Sequence, residues 1–258
     1  MKLRQVNAVE TRGAHYRYYD IVMTAFVVIL VLSNVVGAGK RAVVDLPWFG
    51  LWPFGAGILF FPLSYIIDDV LTEVYGYARA RRVIWVGFVA LAFLVVMEWT
   101  VVALPPAADW KGQPQYEYVF GLPPHWVKTF PYISVGIGGR IAFASLCAFW
   151  VGDILNSYVL AKMKILTQGK WLWTRTIGST IVGEGADSLV FYPLAFYGLP
   201  DWPVGALLMV MLSQFVLKVS WEVVLTPVTY AVVGFLKRAE GVDVYDRGTD
   251  FSPFHVGV

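Results

Sequence analysis

Eight ionisable side chains sit inside stretches that are otherwise apolar enough to cross a membrane: Asp68, Asp69, Glu73, Arg140, Glu184, Asp187, Lys218 and Glu222. A charged group at the centre of a spanning helix costs about 2.5–3.5 kcal/mol. Left unpaired, the set would cost on the order of 20 kcal/mol, more than the net stability of an ordinary fold. These groups must therefore face one another, water or a ligand. Six acids against two bases leave a surplus of hydrogen-bond acceptors. Such a surplus suits proton binding or a ligand rich in N–H donors.

Spacing sorts these groups by face, because helical residues three or four apart are neighbours. Asp69 and Glu73 are four apart in FFPLSYIIDDVLTEVYG, and the adjacent Asp68 points about 100° away and reads as the more structural of the three. Glu184, Asp187 and Ser188 form a polar patch beside the small residues Gly178, Ser179, Gly183, Gly185 and Ala186, which let another helix approach closely. Gln214, Lys218 and Glu222 draw one polar stripe down an otherwise apolar helix. At a 1.5 Å rise per residue, Glu184 and Asp187 lie roughly 14 and 18 Å from the helix start near Arg175, and Lys218 and Gln214 reach similar depth from the opposite end. These four converge on one mid-membrane site in this reading. Asp69, Glu73 and Asp153 (in VGDILNSY) lie deeper toward the cytoplasm and, with Glu222, are placed for a gate, a proton relay or packing. Pairing alone, such as Lys218 with Asp187, would also satisfy individual members of the set.

The elements that must position these groups follow from hydropathy. The chain has 258 residues, 58% apolar and 15% charged, against roughly 45–50% and 25% in a soluble domain. A bilayer core about 30 Å thick needs about 20 mostly apolar helical residues. Six stretches qualify, near 20–38, 54–77, 83–104, 132–160, 174–198 and 204–236. The expected architecture is all-α, a polytopic membrane protein of six transmembrane helices spanning 20–238, with an N-terminal segment 1–19, an irregular outer loop 105–131 and a mobile tail 239–258. Lys and Arg concentrate on alternate connections, fourteen against four, which predicts both termini in the cytoplasm. Several tryptophans at span ends, Trp85, Trp99 and Trp171 among them, read as interfacial anchors.

Composition also excludes. A net charge of +2 is too small for a nucleic-acid footprint, and the single Cys147 allows neither an internal disulfide nor a thiolate metal cluster. His15, His125 and His255 lie outside the apolar segments, so no metal site and no cofactor is expected. No P-loop appears, so the chain does not itself hydrolyse ATP. GEGAD is not the G-x-G-D of an intramembrane aspartyl protease, and no enzymatic activity is expected.

Five runs carry a resemblance to a known family: SNVV from Ser33, FFPLSYIIDDVLTEVYG, RIAFASLCAFWVGDILN, RTIGSTIVGEGADSLVFYPLAFYG and LKVSWEVVLTPVTY. The chain resembles the queuosine-precursor transporter family, six-span bacterial inner-membrane proteins once labelled vitamin uptake transporters. The fifth-span pattern G-x-x-x-x-G-x-x-x-D-S-x-x-F, from Gly178 to Phe191, is the most specific part. The resemblance implies import of 7-cyano-7-deazaguanine and 7-aminomethyl-7-deazaguanine for tRNA modification, and of queuine in some relatives. Its motif positions point to Asp69, Arg140, Asp187 and Lys218. A 7-deazaguanine has adjacent N–H donors that a carboxylate takes, beside a carbonyl that accepts a hydrogen bond. Glu184 or Asp187 suits the donor edge and Lys218 or Gln214 the carbonyl, with Arg140 and Asp69 as second choices. Two alternatives stand beside this: a substrate-binding subunit of an energy-coupling importer that needs a separate ATPase, and a carrier of another small polar heterocycle. Small-residue runs, including Gly136, Gly138 and Gly139, permit close helix contacts either within one chain or across a dimer, and a homodimer is the expectation over a compact six-helix monomer.

Overall fold

The structure, a computed structural model, describes residues 4–8, 14–37, 41–46, 50–55, 59–105, 107, 131–198 and 203–255, and for 131–140 the backbone alone. Among the described residues six helices form: α1 (Tyr19–Gly37), α2 (Phe61–Tyr75), α3 (Tyr77–Ala103), α4 (Pro131–Leu166), α5 (Leu172–Phe196) and α6 (Val204–Glu240). They match the six stretches read from hydropathy, and the all-α reading holds. Three of them are long and apolar enough to cross a membrane, over Tyr77–Val101, Ile141–Leu166 and Leu207–Glu240, while α1 holds a shorter apolar stretch.

The second helix differs most from expectation. It begins at Phe61 rather than near 54, with a proline in its first turn, and an antiparallel hairpin of β2 (Arg41–Leu46) and β3 (Gly50–Gly55) precedes it. Pro53, paired with Val43, fixes an extended backbone where the apolar composition alone suggested helix. At 15 residues α2 rises only about 22 Å. It is nonetheless the hub of the bundle: twelve of its residues are buried, including Asp68, Asp69 and Glu73. The outer-loop expectation for 105–131 falls almost wholly outside the described residues.

The tail is the main correction. Residues 239–255 are not loose but docked on the bundle. β4 (Val242–Tyr245) pairs in parallel with β1 (Arg4–Asn7), so both terminal segments lie at one end of the bundle. Two helix N-termini that lack caps of their own are capped from this end. Glu240 accepts from the backbone N–H groups of Arg17 and Tyr18 at 3.0 and 2.8 Å, ahead of α1. Asp246 accepts from that of Tyr77 at 3.1 Å, at the start of α3. A carboxylate placed there meets unsatisfied donors and the positive end of the helix dipole. Gly76, at φ +86°, turns the chain between α2 and α3, and a Cβ on it would stand 3.1 Å from Val244 and 3.2 Å from Asp246. Beyond Asp246, Arg81 donates to the carbonyls of Asp250 and Ser252, Trp85 to that of Pro253, and Phe254 stacks on Trp150. Sequence gave no sign of this because none of these partners is local.

Candidate functional site

The site begins with a close helix crossing. A Cβ on Gly183 of α5 would lie 2.8 Å from Asn156 Cβ and 2.9 Å from the Gly152 carbonyl; one on Gly152 of α4 would meet Asp187 Cβ at 3.0 Å. Only glycine lets α4 and α5 approach this closely. The crossing brings the acids of α5 against Asp153 and Asn156 of α4, with Tyr65 of α2 alongside.

From the third side comes α6. Lys218 Nζ donates to Glu184 Oε2 at 2.6 Å and to Asp187 Oδ2 at 2.9 Å. The convergence expected from helix depth is therefore present for three of the four residues, and it takes the form of a lysine bridging two acids. Glu184 is fully enclosed, but the Lys218 and Asp187 side chains keep 17% and 16% exposure, so the bridge can be reached. Lys218 Nζ also lies 5.8 Å from the Tyr65 ring centroid, and Tyr192 is within electrostatic reach of the same three charges. Gln214 sits one turn away on α6, half-buried. The side chain of Arg140 lies outside the described residues.

Asp69 falls in a second group. The Asn156 amide nitrogen donates to Asp69 Oδ1 at 2.7 Å and to Asp68 Oδ2 at 3.1 Å. Ser157 donates to Asp68 as well, and Thr72 donates to Ser157. Asp68 is thus fully engaged, as its structural reading expected. Five buried oxygens around it have no hydrogen-bond partner: Asp69 Oδ2, Asn156 Oδ1, Asp153 Oδ1 and both of Glu222. The arrangement is an acceptor-rich seam between α2, α4 and α6.

Glu73, one turn from Asp69, is a different case. It is fully buried and takes a two-pronged ion pair from Arg175, at 2.8 and 2.9 Å, with Lys164 at 3.3 Å and Lys237 on the same carboxylate. Lys164 and Lys237 also hold Asp243 of β4, at 2.8 and 2.6 Å. Three cations against two acids close this knot, which clamps four helices and the terminal sheet together, a packing role among those open to Glu73. Its cations had read as loop charges; in the structure Lys164 and Arg175 are 1% and 2% exposed.

Sequence reasoning missed Asn156, Ser157, Tyr65 and Tyr192. The first two stand three and four residues after Asp153, so helical periodicity was the available signal. Among the described residues no group of His, Cys, Asp and Glu is arranged to hold a metal ion. An open groove of about 420 Å³ between α1 and α6 is lined by apolar residues such as Val22, Phe235 and Leu236, and none of the acids lines it.

Comparison with known proteins gives one family: residues 55–232 match the family described as "Putative vitamin uptake transporter". A "Probable queuosine precursor transporter" of Bacillus subtilis (strain 168) is 29% identical over 204 residues, 79% of this chain and 81% of that one. A "Queuosine precursor transporter" of Escherichia coli (strain K12) is 27% identical over 145 residues, 56% of each chain. A "Probable queuosine precursor transporter" of Haemophilus influenzae is 26% identical over 157 residues, 61% of this chain and 56% of that one. No solved structure matches.

Proposed function

The chain belongs to the vitamin uptake transporter family, and on that premise we propose that it imports queuosine precursors across the bacterial inner membrane, with both termini in the cytoplasm. The cargo is a 7-deazaguanine, in the 7-cyano or 7-aminomethyl form. Support for the cargo class comes from the names of the three relatives. Support for the orientation comes from the cationic connections and from the pairing of β1 with β4 at one end.

One observation carries the site: a lysine bridging two acids, part-exposed, at the crossing of α4, α5 and α6. Lys218 satisfies both Glu184 and Asp187. An incoming 7-deazaguanine can exchange into that arrangement, giving its N–H edge to a carboxylate and its carbonyl to the ammonium, so that no charge is left without a partner. Tyr65 and Tyr192 supply aromatic surface beside it.

The test is binding of 7-cyano-7-deazaguanine, 7-aminomethyl-7-deazaguanine, queuine and guanine to purified protein, repeated with Asp187→Asn and Lys218→Ala. The expected result is saturable binding of a 7-deazaguanine to the native protein that is lost in both folded variants. Equal binding by native protein and variants moves the site elsewhere, and absence of binding to the native protein removes the cargo.

A further inference from the structure

The lysine-bridged site leaves a second feature unused. One turn from Lys218 on α6, Glu222 is 1% exposed and has no hydrogen-bond partner on either oxygen. Its helix packs against α2, and its carboxylate acts electrostatically on Asp69 there. Asn156, on α4 and 0% exposed, bonds Asp69 through its amide nitrogen and leaves its own oxygen unpartnered. An amide with an idle acceptor, beside two carboxylates with idle acceptors, awaits a donor.

The charged groups facing this pair come from every helix packed on it. Asp68 and Glu73 lie on α2, Asp153 on α4 reaches Asp68, and Glu184 on α5 feels Glu222. On α6, Lys218 is committed to Glu184 and Asp187. The three cations of the Glu73 knot are committed to Glu73 and Asp243. Among the described residues no cation is paired with Asp69 or Glu222. Two buried carboxylates on packed helices with no paired cation oppose each other's ionisation, and the smallest donor that satisfies them is a proton. A proton needs only a chain of hydrogen bonds to reach this seam.

We propose that Asp69, held by Asn156, and Glu222 bind the proton that couples cargo movement to the proton gradient, as a site distinct from the lysine-bridged one. This rests on the transport reading above. The proton enters from the outer side, is shared between the two carboxylates while cargo is held one turn away, and leaves to the cytoplasm with it. Because the pair joins α6 to α2, its protonation decides whether α6 is repelled from the hub helix. The α4–α5 crossing, locked by Gly152 and Gly183, moves as one body.

The test uses the full chain in sealed liposomes with labelled 7-cyano-7-deazaguanine. Two signals are read: exchange against unlabelled cargo at equal pH, and accumulation when the outside is made acid. For a neutral cargo carried with one proton, one pH unit sustains about tenfold accumulation, equivalent to about 1.4 kcal/mol. Native protein is expected to show both signals, with accumulation abolished by a protonophore. Glu222→Gln is expected to keep exchange and lose accumulation. Glu222→Ala gives a second reading of the same carboxyl should the first variant fold poorly. Exchange without acid-driven accumulation in the native protein overturns the coupling and leaves the cargo reading intact. Accumulation by both variants at the native level also overturns it. No exchange at all by folded native protein removes the cargo reading, and the coupling with it.

Discussion

Asp69 and Glu73 are neighbours on one face of one helix, both fully buried, yet they live in opposite electrostatic worlds. Glu73 is met by Arg175, Lys164 and Lys237, which come from three other segments to satisfy it. Asp69 is met by one amide and by another acid. A buried charge that the fold has surrounded with counter-charges holds helices together; one the fold has left short is held in reserve for something that arrives. Partner supply, more than residue type or depth, separates the paired acid from the one proposed to bind a proton.

The sharpest way to break this comparison is to remove each acid in turn. Glu73→Ala leaves three buried cations facing one another, and truncating one partner of a buried ion pair costs about 3–5 kcal/mol. Loss of most folded protein is expected, read as the thermal unfolding midpoint in detergent. Glu222→Gln removes a charge that has no partner and is expected to be neutral or stabilising in the same assay. Equal losses from the two would erase the distinction drawn here.

Lys218→Ala comes next in size. It strips the counter-charge from Glu184 and Asp187 and makes their surroundings resemble those of Asp69. Charged hydrogen bonds of this kind contribute about 1.5–3 kcal/mol each, so cargo affinity is expected to fall by at least tenfold in a titration of the folded variant. Lys218→Arg keeps the charge and should retain more of it, since Arg can still bridge two carboxylates, although with a different geometry. Gly183→Val tests the scaffold instead. Its side chain would collide with Asn156 and with the Gly152 backbone, and overpacking of this kind costs about 1–3 kcal/mol. It should weaken binding by separating α4 from α5 while Glu184, Asp187 and Lys218 all remain present.

Much of the lysine-bridged cluster was legible because its geometry is one-dimensional. Helical rise gives depth, and period gives face, so Glu184, Asp187 and Lys218 could be brought together before any fold was known. The same tools also set Asp68 apart from Asp69. They failed for Glu73 because its partners are long side chains rooted at helix ends, and such stems reach back into the bundle from positions that count as loop. They failed for the docked tail because four-residue strands paired across the whole chain, and carboxylates capping distant helices, leave no periodic trace. The hairpin ahead of α2 was hidden by apolar composition, which strands and spanning helices share.

The smallest effect belongs to Asp243, where the knot reaches beyond the bundle into β4. Burial raises the affinity of its carboxyl for a proton, but the ammonium groups of Lys164 and Lys237 outweigh this and hold it below the ordinary aspartate range. The unfolded carboxyl titrates near about 3.9. A depressed folded value means that the ion pairs contribute fully above that pH and fade as pH falls through the folded value. Asp243 keeps 14% exposure, so solvent screening limits the contribution to about 1 kcal/mol. Hydrogen exchange of the β4 amides should therefore be uniformly slow at neutral pH and quicken, after correction for intrinsic rates, only in acid below about pH 4. Asp243→Asn should show the quickened exchange at neutral pH while leaving cargo binding unchanged. If that variant instead loses binding with its tail still protected, the knot is not a separate clamp but part of the transport machinery, and the contrast between Glu73 and Asp69 is one of degree.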